Sequence, residues 1–116
     1  MIYKGSCHCG RIAFEVEGEL LTQVVECNCS ICVRKGALMW FIPREKLRLV
    51  TPEGNLGTYT FNTHTIKHRF CPVCGIHPFG EGTDQAGKAV AAVNVRCLEG
   101  VKLASLPVKH FDGRSR

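Results

Sequence analysis

Apolar positions along the chain recur in short runs and mostly with a period of two. In Arg11–Val16, Ile12, Phe14 and Val16 alternate with Arg11, Ala13 and Glu15, so an extended segment has one apolar side. Thr22–Cys27 and Leu38–Ile42 are β-branched or apolar, and Leu47–Val50, Thr58–Asn62, Ile66–Phe70 and Val90–Val95 continue the series. Gly18, Pro52-Glu53-Gly54-Asn55, Gly80-Glu81-Gly82, Asp84–Gly87 and Glu99-Gly100 read as turns between these strands. No long window carries a helical apolar period, which leaves a turn or two of helix at Ser30–Lys35 and at Arg44–Leu47. The pattern predicts an all-β domain with one small core, built of short strands and less than about 15% helix.

Length and composition narrow this further. The 116 residues suit one domain, residues 1–116 with a core at 3–112. With 45% hydrophobic and 22% charged residues the chain has a globular balance. The longest apolar run, Ala37–Ile42, is far below the roughly 18 residues of a membrane span. The opening Met-Ile-Tyr-Lys-Gly-Ser-Cys lacks the apolar segment of an export signal, so the expected compartment is the cytoplasm. A net charge of +5 favours anionic small molecules. There is no block of like charge and no basic stripe interleaved with aromatics, so nucleic acid is not the expected partner. Trp40 and Phe41 sit in the most apolar strand and are expected in the core.

Eight cysteines change the picture. Seven lie in three clusters: Cys7-His8-Cys9-Gly10, Cys27-Asn28-Cys29-Ser30-Ile31-Cys32 and Cys71-Pro72-Val73-Cys74-Gly75, with Cys97 apart. In a reducing compartment such thiols point to metal, and a structural zinc contributes about 10–16 kcal/mol of apparent binding free energy that can serve folding. Zinc takes four ligands in a tetrahedron. Cys7, Cys9, Cys71 and Cys74 supply four and can close one site, with Gly10 and Gly75 suited to the strained backbone after each turn. Cys27, Cys29 and Cys32 supply three and leave one position open, as at a catalytic zinc. Disulfides, iron–sulfur ligation, or closure of the triple cluster by Cys97 or a histidine are the other assignments these spacings allow.

At these residues the chain resembles the glutathione-dependent formaldehyde-activating family, whose domain is shared with centromere protein V. Gly5-Ser6-Cys7-His8-Cys9-Gly10, Cys27-Asn28-Cys29-Ser30-Ile31-Cys32 and Phe70-Cys71-Pro72-Val73-Cys74-Gly75 carry the resemblance, and Arg96-Cys97-Leu98-Glu99-Gly100 is similar to a further family segment. The resemblance implies a β-tent zinc fold of small antiparallel sheets. It also implies a structural zinc on Cys7, Cys9, Cys71 and Cys74, a second zinc on Cys27, Cys29 and Cys32, and condensation of formaldehyde with glutathione to S-hydroxymethylglutathione.

An open three-thiolate zinc carries a net charge of −1. It is a poor generator of hydroxide but a good acceptor for a fourth thiolate. A small thiol bound there would attack an aldehyde carbon, and the resulting oxyanion would need a proton. His68 and His77 flank the third cluster at three residues on either side, and His77 is the preferred donor. The alternative for both is hydrogen bonding to a ligand sulfur or to backbone. His8 is expected to be structural, and His64 and His110 to lie on the surface. Arg34, Lys35, Lys67 and Arg69 would form either a basic rim for glutathione carboxylates or a solvated face. Two other functions compete: a binding module whose zincs only hold the fold, and a thiol redox enzyme using Cys97 beside the cation of Arg96. Cys97 can equally be a buried, inert thiol.

Overall fold

The computed structural model describes residues 1–19 and 22–114. The end of the expected 1–116 domain, Ser115 and Arg116, lies outside the described residues, as do Leu20 and Leu21. One sheet has three strands. β1 (Ile2–Ser6) pairs antiparallel with β2 (Ala13–Glu17), and β5 (Leu47–Leu49) adds to the other side of β2. The second sheet contains β3 (Val24–Cys27), β4 (Met39–Pro43), β6 (Gly57–Tyr59), β7 (Lys67–Phe70), β8 (Phe79–Thr83), β9 (Ala89–Asn94) and β10 (Val108–Phe111). Its strand order is β10-β3-β4-β9-β8-β7-β6, antiparallel throughout except for β10, which runs parallel to β3. Helix is confined to α1 (Cys32–Lys35) and to 3-10 turns at Arg44–Lys46, Glu53–Asn55, Val95–Cys97 and Leu103–Ser105 among the described residues. The fold is all-β, and the two predicted helical stretches fall at α1 and at Arg44–Lys46.

The alternation in β2 buries Phe14 and Val16, while Ile12 just before it seals a smaller cluster beside Cys7 and Cys71. The sheets meet where the Phe14 and Phe79 rings pack edge to face, 5.7 Å between centroids. Val24, Leu38, Ile42, Leu47, Ala91 and Val93 fill the space around them. Burial of a side chain of this kind is worth about 1.5–3 kcal/mol.

Three expectations are corrected. Gly80-Glu81-Gly82 is not a turn but the middle of β8, paired on both sides with β7 and β9. Gly80 is buried opposite His68. Phe41 is 52% exposed rather than in the core, whereas Trp40 is half-buried and packs against the core, edge-on to Tyr3 at 5.4 Å. The strand expected over Thr58–Asn62 is β6, ending at Tyr59, and Asn62 and His64 take left-handed φ of 56° and 57° in the turn that follows. β1 and β10 carry too little apolar alternation to stand out in the sequence, and both are recruited by a neighbouring strand.

Candidate metal centres

β1 delivers Cys7 to a loop that returns as β2, and β7 delivers Cys71 to a loop that returns toward β8. The two loops close alike. The Cys7 N–H donates to the Ile12 carbonyl at 3.0 Å, and the Cys71 N–H to the Ile76 carbonyl at 2.9 Å. Each loop also aims a backbone N–H at sulfur: Ile12 at Cys7 Sγ (3.3 Å) and Cys74 at Cys71 Sγ (3.4 Å). Gly10 and Gly75 hold φ of 84° and 80° with open space where a Cβ would stand, so backbone conformation, not room, requires glycine there.

These loops bring the sulfurs of Cys7, Cys9, Cys71 and Cys74 within 4.8 Å of one another. Cys7 and Cys9 Sγ are 3.7 Å apart, and Cys9 and Cys71 Sγ 3.6 Å. A zinc–sulfur bond of about 2.3 Å gives a tetrahedral edge of about 3.8 Å, whereas a disulfide would need about 2.05 Å. All eight cysteines are free, and the spacing fits a tetrahedral thiolate centre. Backbone N–H groups of Cys9 and Ile76 hold the Cys74 thiol down at about 6, toward the thiolate a metal requires.

The second cluster is built by the end of β3 and the start of α1. Cys27 closes the strand, Cys32 opens the helix, and Cys29 lies in the turn between with its N–H on Cys27 Sγ at 3.5 Å. Their sulfurs also lie within 4.8 Å of one another, and neither Cys97 nor a histidine joins them among the described residues. Burial, then the Cys29 thiol, pushes Cys32 up to about 12. A segment not anticipated from sequence crosses this cluster. Asn28 accepts the Arg114 N–H on its Oδ1 and donates its Nδ2 to Asp112, both at 2.9 Å, and its own N–H donates to the Phe111 carbonyl. The chain 111–114 is thereby laid over the cysteines, with Gly113 against Cys27.

Beside the triple cluster lies an arrangement of three basic side chains from three parts of the chain. Lys35 Nζ, at the end of α1, stands 3.2 Å from His68 Nδ1 on β7 and 3.3 Å from His77 Nε2 just before β8. Burial first, then the Lys35 charge, lowers His68 to about 4 and His77 to about 3, so both imidazoles are neutral near pH 7. His68 stacks on Phe61 at 5.5 Å, and Phe61 on Tyr59 at 5.7 Å. These two aromatics, with Ser30, Ile31 and Arg34, line a cavity of about 410 Å3. Ser30 and Ile31 are the residues between Cys29 and Cys32, so the cavity adjoins the triple cluster.

The other singled-out residues divide. Arg34 lines the cavity and donates to the Ser30 carbonyl at 2.7 Å, and Lys67 is exposed. Arg69 is not on a rim: it is buried and paired with Glu81 and Glu53. His8, His64 and His110 are exposed. Cys97 is pushed up to about 11 by burial, then by Cys7 and Cys74, and the Arg96 guanidinium is turned to the Gly36 carbonyl. That is the opposite of an activated redox thiol. A larger cleft, lined by Met1, Glu17, Trp40 and Lys46 among others, has no cysteine or histidine in its walls. No helix among the described residues is long and apolar enough to cross a membrane.

Comparison with known proteins agrees with this geometry. The family model described as glutathione-dependent formaldehyde-activating enzyme matches residues 2–111. A crystal structure of a Rhodobacter sphaeroides protein is similar, with a TM-score of 0.78 and 37% identity over 91% of this chain and 99% of that one.

Proposed function

The chain belongs to the glutathione-dependent formaldehyde-activating enzyme family, and we propose that it is a carbon–sulfur lyase that joins a small thiol such as glutathione to an aldehyde such as formaldehyde, or runs the reverse cleavage. The observation that carries this reading is the convergence of Cys27, Cys29 and Cys32 with no fourth cysteine or histidine among the described residues, beside a cavity of about 410 Å3. The spacing and donor set of both clusters fit zinc, with Cys7, Cys9, Cys71 and Cys74 as the structural ligands. Bound to Cys27, Cys29 and Cys32, zinc would supply a fourth position that takes up a thiol as its thiolate.

The chain's own residues then account for the rest. Tyr59 and Phe61 give the cavity an aromatic wall, and the Arg34 cation suits a substrate carboxylate. In the forward direction the S–H bond breaks and a sulfur lone pair forms the C–S bond. The carbonyl π pair goes to oxygen, which takes a proton to become the hydroxyl of the S-hydroxymethyl product. Eight free cysteines support a reducing compartment, the cytoplasm being the proposed one.

Cobalt substitution tests the reading. Tetrahedral thiolate bands that shift as glutathione is added, together with faster exchange of 13C-formaldehyde into S-hydroxymethylglutathione by NMR, are the expected results. A spectrum indifferent to every thiol and an unaccelerated exchange would instead make the domain a zinc-stabilised binding module.

A further inference from the structure

Lys35 is unusual in its surroundings. It is half-buried and makes no ion pair with a carboxylate among the described residues; its two near neighbours are imidazole nitrogens. Partly burying a cation without a carboxylate partner is costly, and folds retain such groups where they act. An ammonium can only donate, so beside a charged Lys35 His68 Nδ1 and His77 Nε2 accept, which puts the imidazole protons on His77 Nδ1 and on His68 Nε2, an atom buried without a hydrogen-bond partner among the described residues. Two of the three Lys35 N–H donors are thereby fixed in direction. The third has no hydrogen-bond partner among the described residues.

Position adds to this. Lys35 follows Cys32 by three residues in α1, so the element that contributes a sulfur contributes the ammonium one turn later, on the same side. His68 is held opposite Gly80 in the β7–β8 pairing and stacks on Phe61 of the cavity wall. The lysine is therefore held by His68 of β7 and by His77 of the segment that leads into β8, one helical turn from Cys32.

We propose that Lys35, rather than His77 or His68, is the catalytic residue that meets the aldehyde oxygen: its third N–H donates to the oxyanion that forms as sulfur adds to carbon. This rests on the thiol–aldehyde reading above and deepens it. As the C–S bond forms, the carbonyl π pair moves to oxygen and an N–H proton of Lys35 passes to it. Water returns a proton to the lysine, and the thiol proton is released to water, so no net proton is consumed. In the cleavage direction the same atoms carry the proton back. The two histidines position the lysine and carry no charge.

The test uses the zinc-loaded full chain and three readouts. In Lys35→Met the exchange of 13C-formaldehyde with S-hydroxymethylglutathione should slow by about 100-fold, in the range a positioned acid contributes. The glutathione-dependent change in the cobalt spectrum should persist at the same glutathione concentration. Imidazole 15N shifts, without substrate, should show the proton on His68 Nε2 and His77 Nδ1 in the wild type and a changed tautomer balance in the variant. Lys35→Gln keeps a neutral N–H donor for the imidazoles and serves if Lys35→Met does not fold; it should be slowed as much. Exchange within threefold of wild type in either folded variant overturns the assignment of Lys35 and leaves the thiol–aldehyde reading standing. An unaccelerated exchange in the wild type overturns that reading, and this one with it.

Discussion

Gly113 lies directly on Cys27: a Cβ at Gly113 would stand 2.7 Å from the Cys27 sulfur and 3.1 Å from Cys29 Cβ. The contact joins the end of the described chain to the triple cysteine cluster, and Asn28, the residue between Cys27 and Cys29, latches the same segment through Asp112 and Arg114. One side of the cluster is thus roofed by backbone that has no side chain to spare. Replacement of Gly113 by valine must move either the roof or Cys27. The expected result is a protein that keeps its fold but holds about one zinc per chain instead of about two, by elemental analysis. Full zinc content and an unchanged cobalt spectrum in Gly113→Val would show that the roof is not coupled to the cluster.

The two clusters should differ in how they hold metal. Cys71 is fully buried with Ile12, Leu49 and Leu56 around its cluster, whereas Cys27, Cys29 and Cys32 offer one ligand fewer. A chelator should therefore empty the triple cluster first, with little change in the melting curve. Cys71→Ser should cost at least about 3–5 kcal/mol or prevent folding, because a broken structural site removes folding free energy. Cys29→Ala should leave a folded chain that has lost its response to glutathione. Equal zinc loss from both clusters, followed by melting temperature and spectroscopy, would contradict this order.

Acid should act through His68 and His77. Both are held neutral in the fold, at about 4 and about 3, against an ordinary value of 6.5. The unfolded chain therefore binds protons that the folded chain refuses, and stability falls as pH drops from 6.5 toward 4. His68→Gln should flatten this slope in denaturant titrations at constant zinc content. NMR titration should show the wild-type His68 and His77 rings still neutral at about pH 5. Protonation of either ring near pH 6.5 would refute the burial argument.

The seam between the sheets offers a check independent of metal. Phe14 is 1% exposed and meets Phe79 edge to face. Phe14→Ala should lower stability by about 3–5 kcal/mol, the usual cost of an unfilled aromatic site, with zinc stoichiometry unchanged. A loss below about 1 kcal/mol would mean that the metal clusters, not this core, dominate stability.

Much of the fold and of the cysteine chemistry is local, and local features are legible in a sequence. The alternation over Arg11–Val16 fixes which side of β2 is buried, because successive side chains on a strand point opposite ways. Closely spaced cysteines followed by Gly10 and Gly75 determine the turns, because only glycine readily takes φ near 80°. What needed the tertiary structure is whatever depends on strand register and order. Gly80-Glu81-Gly82 has the composition of a turn and becomes a central strand only because β7 and β9 pair with it on both sides. Phe41 has the composition of a core residue, yet it is exposed while Met39, on the same side of β4, is covered by the triple cysteine cluster. Lys35, His68 and His77 meet across 33 and 42 residues of chain, and Gly113 reaches Cys27 through a parallel strand added at the sheet edge. No spacing rule connects residues so far apart; sheet order alone brings them together.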